Sequence, residues 1–141
     1  MLCLQRKKGD DGTVIDRVDK NVQRLLHIIE GIKRLKRIFA DMSKAYFLED
    51  LRSQDAAAFD ISTIGEAAAH VSEDFQLAHP EIPWMKMCGI RNRLVHIFDY
   101  EQINYDIIWT VATVDLPELE PKIRAALATI PLPDDFTLPE I

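Results

Sequence analysis

Cysteine is scarce in this chain: Cys3 and Cys88 are the only two in 141 residues. They lie too far apart for a metal-ligand spacing and are too few for a disulfide framework, so a small disulfide scaffold is excluded and a reducing compartment is expected. Glycine is sparse as well, with five residues, and none falls in a glycine-rich phosphate loop. No apolar run approaches the roughly 20 residues of a membrane-spanning helix. The opening "MLCLQRKKGDDG" lacks the apolar centre of a secretory signal. The expectation is a cytoplasmic protein with no membrane contact. Positive charge is in deficit, 17 Lys and Arg against 23 Asp and Glu, for a net charge of −6. Proteins that bind nucleic acid through a broad electrostatic footprint are usually basic. Any such contact here is expected at a local site or through a basic partner. No segment alternates with period two and no Asn-Gly pair marks a hairpin, so strands are not expected.

What remains is a helical pattern. The chain is 48% apolar and 28% charged, which is the composition and length of one globular domain. From Asp19, a suitable N-cap, Val22, Leu25, Leu26, Ile29, Ile32, Leu35 and Phe39 make one apolar stripe at three- and four-residue steps. Lys33, Arg34, Lys36 and Arg37 late in this helix suit its negative end. "SKAYFLEDL" (43–51) predicts a short helix. The alanine-rich residues 53–80 predict a long one, capped by Ser53, striped by Ala57, Ile61, Ile64, Ala68 and Val71, and ended by Pro80. Gly65, Ala67, Ala68 and Ala69 leave room for another helix to approach. Residues 82–99 predict a further helix with Pro83 in its first turn. The last runs from about Gln102 to Ala128 on Ile103, Ile107, Val111, Val114, Leu119, Ile123 and Leu127, with Pro117 and Pro121 predicting a kink or break near Asp115–Leu116. The fold class is all-α: an up-and-down four-helix bundle with an additional short helix. Residues 1–17 carry no periodic pattern and read as a disordered extension; a start near Val18 would explain the same change of pattern. Residues 18–130 form the domain, and 131–141 a proline-rich, extended or frayed tail.

One stretch resists this simple reading. "GIRNRLVHIFDY", residues 89–100, sets polar groups among apolar ones on a helix. At about 100° per residue, Trp84, Met87, Ile90, Leu94, Val95 and Phe98 share one arc. Asn92, His96 and Asp99 fall on the other side. Arg91 projects into the apolar arc, where an unpaired guanidinium is very unfavourable. Either Arg91 is a core arginine paired with a carboxylate, for which Glu66 is the obvious partner, or the arc lines a cleft or subunit interface. In the first reading His96 is an ordinary surface histidine. In the second, Arg91, Asn92 and His96 make a set that can bind a phosphate and move a proton.

The segment "RNRLVH" matches the Arg-x4-His motif of the HEPN ribonucleases, and the chain resembles the HepT-like toxin family in particular. The resemblance extends from Asp19 to near Leu127. "TIGEAAAHVS" is similar to the family's long second-helix signature, "HPEIPWMKMCGIRNRLVH" to the approach to and start of its catalytic helix, and "IIWTVATVDLPELEPKI" to its last helix. The resemblance implies a metal-independent RNase without a cofactor, active as a homodimer with the site between protomers. Arg91 and His96 are then the catalytic pair and Asn92 the polar residue beside the arginine; Glu66 keeps the role of structural support that the helix pattern gives it. It also implies RNA as substrate and a minimal nucleotidyltransferase as antitoxin, one that adenylylates a tyrosine two residues after the motif histidine. Phe98 stands at that position here, without a hydroxyl. Tyr100 and Tyr105 are the nearby acceptors, with Tyr105 better read as a packing residue and Tyr100 as the possible modification site. The loss of that tyrosine also suits an alternative: a catalytically inactive helical binding module that pairs with a nucleotidyltransferase. His27, His70 and His79 read as structural or exposed, and Asp134 and Asp135 as solvated.

Overall fold

The computed structural model describes residues 17–95 and 103–141. Among these residues there is no strand; the chain is all-α. The helices are α1 (Lys20–Phe39), α2 (Lys44–Glu49), α3 (Leu51–His70), α4 (Glu73–Ala78), α5 (Trp84–Val95), α6 (Tyr105–Thr110) and α7 (Leu116–Leu127). A π-helical turn, Val111–Asp115, joins α6 and α7. The long helices make the bundle: α1 lies between α3 and α7, and α3 between α1 and α5.

The expected first helix is present and is capped as expected, with the Asp19 carboxylate accepting from the Asn21 N–H at 2.8 Å. Its stripe supplies the centre of the core: Val22, Leu25, Ile28, Ile29, Ile32 and Leu35 have no solvent exposure. Ile28 joins the buried face and Leu26 lies at its margin. The core otherwise draws on Phe47 of α2, Ile61 and Ile64 of α3, Trp84 and Met87 of α5, and Ile123 of α7. Among the described residues no helix is long and apolar enough to cross a membrane.

Two local expectations are corrected, and a third, the break near residue 115, is met in a particular form. The alanine-rich segment is two helices, not one. Asp50 caps α3 by accepting from the Ser53 N–H at 3.1 Å, and the chain turns extended at Val71. The break is fixed from outside the segment: Asn21 of α1 donates to the Ser72 hydroxyl and accepts from the Ser72 N–H, both at 3.0 Å. A clasp reaching 51 residues along the chain gives no local sequence signal. Pro83 stands just before α5 and accepts the Met87 N–H through its carbonyl, rather than sitting inside the first turn. The predicted break near residue 115 takes the form of the π turn. Pro117 has no N–H for the carbonyl four residues earlier, and the wider turn instead bonds the Leu116 N–H to the Val111 carbonyl. The added residue slips the helix phase, so Ile108 and Ala112 are buried while Ile107 and Val114 are exposed.

The tail is extended but not detached. Leu132, Phe136 and Leu138 pack against the core, and Asp135, read as solvated, pairs with Arg17 at 2.5 Å. That pairing holds the Asp135 carboxyl below its usual range through the hydrogen bond from Arg17.

Candidate functional site

The site is built on the crossing of α3 and α5, and glycine makes the crossing close. A Cβ on Gly65 would stand 2.4 Å from the Arg91 Cβ and 2.9 Å from the Met87 carbonyl oxygen. Only a residue without a side chain fits there. The expected close approach at the small residues of α3 is therefore real, and it falls directly beneath Arg91.

Glu66, the next residue of α3, then meets the arginine. Arg91 Nη1 donates to Glu66 Oε2 at 2.5 Å, the pairing expected from the sequence. The contact is half-buried, with the arginine and glutamate side chains 29% and 36% exposed. The guanidinium is thus neither a core arginine sealed from solvent nor a free surface charge. Its Nε is buried and meets no acceptor among the described residues. A buried donor without an acceptor is unfavourable by about 1–3 kcal/mol. The buried Nε is closed to a ligand; among the described residues Nη1 alone of the terminal nitrogens is hydrogen-bonded, to Glu66, and the half-exposed end of the fork has the shape that suits phosphate oxygens.

Glu66 has a second neighbour that the sequence reading missed. His70, one turn along α3, sets Nδ1 2.8 Å from the Glu66 backbone oxygen, and the same atom lies 3.5 Å from Glu66 Oε1. With the Nδ1 proton present the imidazole donates to that carbonyl. The signal was there in "GEAAAH": a Glu and a His four apart on one helix face. Read alone, His70 carried no partner that marked it.

Cys88 lies half-buried on α5 beside this group. Burial pushes its thiol above the usual value, against the pull of Arg91. It is held as a neutral thiol and is not an activated nucleophile. Of the other histidines, His79 is structural as expected: its ring packs on Phe75 at 4.4 Å, and its nitrogens reach Glu81 and Thr129 at 3.1 and 3.4 Å. Tyr105 packs its ring against Phe47. Asn92 follows Arg91 on α5, while His96, Phe98 and Tyr100 lie outside the described residues.

A family model described as ribonuclease HepT-like matches residues 28–126, the span that contains Glu66, His70 and Arg91. The chain is 32% identical over 120 residues to a Methanocaldococcus jannaschii protein named "Putative RNase", covering 84% of this chain and 98% of the relative. It is 32% identical to a "Probable ribonuclease HepT" of Thermococcus cleftensis, over 69% of this chain and 86% of that one. It is 30% identical to a "Putative RNase" of Caldanaerobacter subterraneus, over 73% of this chain and 90% of that one. No solved structure matches. The extent of the family match and the cover of these relatives place the all-α fold and its Arg91–Glu66 crossing together: the chain belongs to the HepT-like ribonuclease family.

Proposed function

We propose that this protein is a metal-independent endoribonuclease that acts as the toxin of a toxin–antitoxin pair, with Arg91 and His96 as its catalytic residues. The observation that carries this is Arg91: a half-exposed guanidinium over Gly65, paired among the described residues with the carboxylate of Glu66 alone. The names of the relatives as RNases support the substrate.

The chemistry needs few parts. A base removes the proton of a ribose 2′-hydroxyl, whose oxygen attacks the adjacent phosphorus. The bond from phosphorus to the 5′-oxygen breaks, and an acid protonates that leaving oxygen. The products are a 2′,3′-cyclic phosphate and a 5′-hydroxyl. His96 supplies acid or base near neutral pH. Arg91 holds the phosphate and stabilises its growing charge, with Asn92 positioning the group beside it. One histidine per chain does not readily serve as both acid and base. A homodimer brings a second His96 to the same phosphate and covers the open side of Arg91. The nucleotide-modifying partner implied by the family resemblance, a minimal nucleotidyltransferase antitoxin, would act in the cytoplasm either by binding or by adenylylating Tyr100, since Phe98 offers no hydroxyl.

RNA cleavage in EDTA by the purified parent, beside His96→Ala of equal fold and dimer content, tests the reading. Cleavage by the parent alone is expected. Equal cleavage by both removes His96 from the chemistry. No cleavage by antitoxin-free, unmodified parent favours the reading as a non-catalytic partner of a nucleotidyltransferase, which the Phe98 substitution also suits.

A further inference from the structure

Glu66 stands between two cations of different kinds. On one side Arg91, always charged, donates to Oε2 at 2.5 Å; on the other His70, charged only when protonated, brings Nδ1 within 3.5 Å of Oε1. The imidazole is anchored where it is by the 2.8 Å contact of that same Nδ1 with the Glu66 backbone oxygen. That anchor keeps one proton on Nδ1 and leaves Nε2 as the place for a second. Protonation therefore adds a full positive charge beside the carboxylate without moving the ring.

We propose that His70 is a positioning residue for Arg91. Its protonation draws the Glu66 carboxylate toward the imidazole and loosens the hold on the guanidinium, which then turns its donors to an RNA phosphate. The inference rests on Arg91 being the phosphate-holding group, as proposed above. Proton binding at His70 and phosphate binding at Arg91 are then coupled, and the coupling is reciprocal. A phosphate that takes Arg91 away from Glu66 frees the carboxylate and strengthens proton binding at His70.

The charged and titratable neighbours support this arrangement. Among the described residues Glu66 is the only acid within ion-pair distance of His70. From α5, the helix packed on this face, come Arg91 and the neutral thiol of Cys88, with Lys86 further along the same helix. Glu73 and Asp74 open α4 beyond the turn, and neither makes an ion pair among the described residues. The carboxylate that His70 can recruit is the one that holds Arg91.

The test uses the full chain and a single-stranded 2′-O-methyl RNA, which lacks the attacking hydroxyl and is not cleaved. Its affinity is measured at fixed salt from pH 8 to pH 6 for the parent and for His70→Gln. The two proteins share every other histidine, so the difference isolates His70. Tightening at the lower pH is expected to be about fivefold greater in the parent, the low end of ordinary coupling between two sites. The same pH dependence in both proteins overturns the proposal. A second measurement does not depend on RNA binding. The His70 ring is followed by NMR, assigned by its loss in His70→Gln. Its midpoint is expected to fall in Glu66→Gln and to rise in Arg91→Ala; an unmoved midpoint in Arg91→Ala overturns the proposal. A parent that binds no RNA at any pH counts instead against the nuclease reading, and the NMR result still decides whether His70 and Arg91 compete.

Discussion

Gly65 and Arg91 meet backbone to side chain at the centre of the α3–α5 crossing, close enough that a methyl group on Gly65 would overlap the Arg91 Cβ at 2.4 Å. The obstacle is not the tip of a flexible chain. The Met87 carbonyl, at 2.9 Å, is backbone, so α5 itself has to move. Gly65→Ala gains helix propensity of about 1 kcal/mol and loses about 1–3 kcal/mol to overpacking. The net expectation is a modest loss of stability in urea denaturation. The loss of RNase activity should be larger, because a shift of about 1 Å in a positioned group can reduce rate by about a hundredfold. Unchanged activity in a folded Gly65→Ala protein would show that the crossing does not set the position of Arg91.

Gly31 of α1 makes the matching approach on the other side of α3, where an added Cβ would lie 2.5 Å from Ile64 Cγ1 and 2.9 Å from Cδ1. Here the obstacle is a side chain, so it can be removed. Gly31→Ala is expected to destabilise by about 1–3 kcal/mol, and Ile64→Ala by about 2–5 kcal/mol through the cavity it leaves. The double variant should be more stable than the sum of the two predicts, with a favourable coupling of about 0.5–3 kcal/mol. Strict additivity in a denaturation cycle would place the two residues out of contact.

Much of this was legible in the chain. The stripe of α1 is strictly periodic, so its buried face could be read almost residue by residue. Arg91 on an apolar arc demanded a partner, and Glu66 is that partner. The errors have a common cause: they depend on groups distant in sequence or on a local change of helix type. The break at Val71 is held by Asn21, and the phase of the last helix is set by a π turn. His70 was passed over because a lone histidine on an exposed helix face has no meaning until the neighbouring Glu66 is seen to be shared with Arg91. Asp60 sits on the side of α3 toward α1 and is 2% exposed. Nothing in "AAAFDIST" separates it from a surface aspartate, since its partner, Arg34, is on another helix.

Asp60 and Glu120 should give stability opposite dependences on pH. Burial raises the Asp60 carboxyl above its ordinary value of 3.8, and the 3.1 Å pairing with Arg34 only partly offsets it. The folded state then holds this proton more tightly than the unfolded one. Its contribution is present below 3.8 and is lost as pH rises through the raised folded value. For Glu120 burial acts upward too, but the hydrogen bond from Lys36 at 2.7 Å and the charge of Arg124 outweigh it and lower the carboxyl below 4.5. That contribution is present above 4.5 and is lost as pH falls through the lowered value. Asp60→Asn is accordingly expected to lose little or no stability at pH 7 and to flatten the decline above 3.8. Glu120→Gln should weaken the protein at pH 7 and match the parent in strong acid. Urea midpoints across pH decide both, and a large loss in Asp60→Asn at neutral pH would mean that the Arg34 pair outweighs burial.

Arg91 and Glu66 should separate activity from stability. Their pair is partly exposed on both sides, and such pairs contribute about 0–1 kcal/mol. Glu66→Gln and Arg91→Lys are therefore expected to leave the denaturation midpoint nearly where it is. Cleavage should behave otherwise. Lysine supplies the charge as a point on a flexible stem and lacks the planar fork that grips two phosphate oxygens. Losing one such aimed donor in a transition state lowers rate by about a hundredfold to a thousandfold, and Arg91→Lys is expected in that range. Glu66→Gln keeps the shape and holds the guanidinium less tightly, so it should lower KM for the oligonucleotide, and its kcat should fall less than that of Arg91→Lys because the charge and the fork both remain. The check is kcat and KM for one RNA oligonucleotide in parent and both variants, with circular dichroism confirming equal helix content. Parental rates in Arg91→Lys would mean that charge alone suffices at this position, and the fork geometry would then have no part in cleavage.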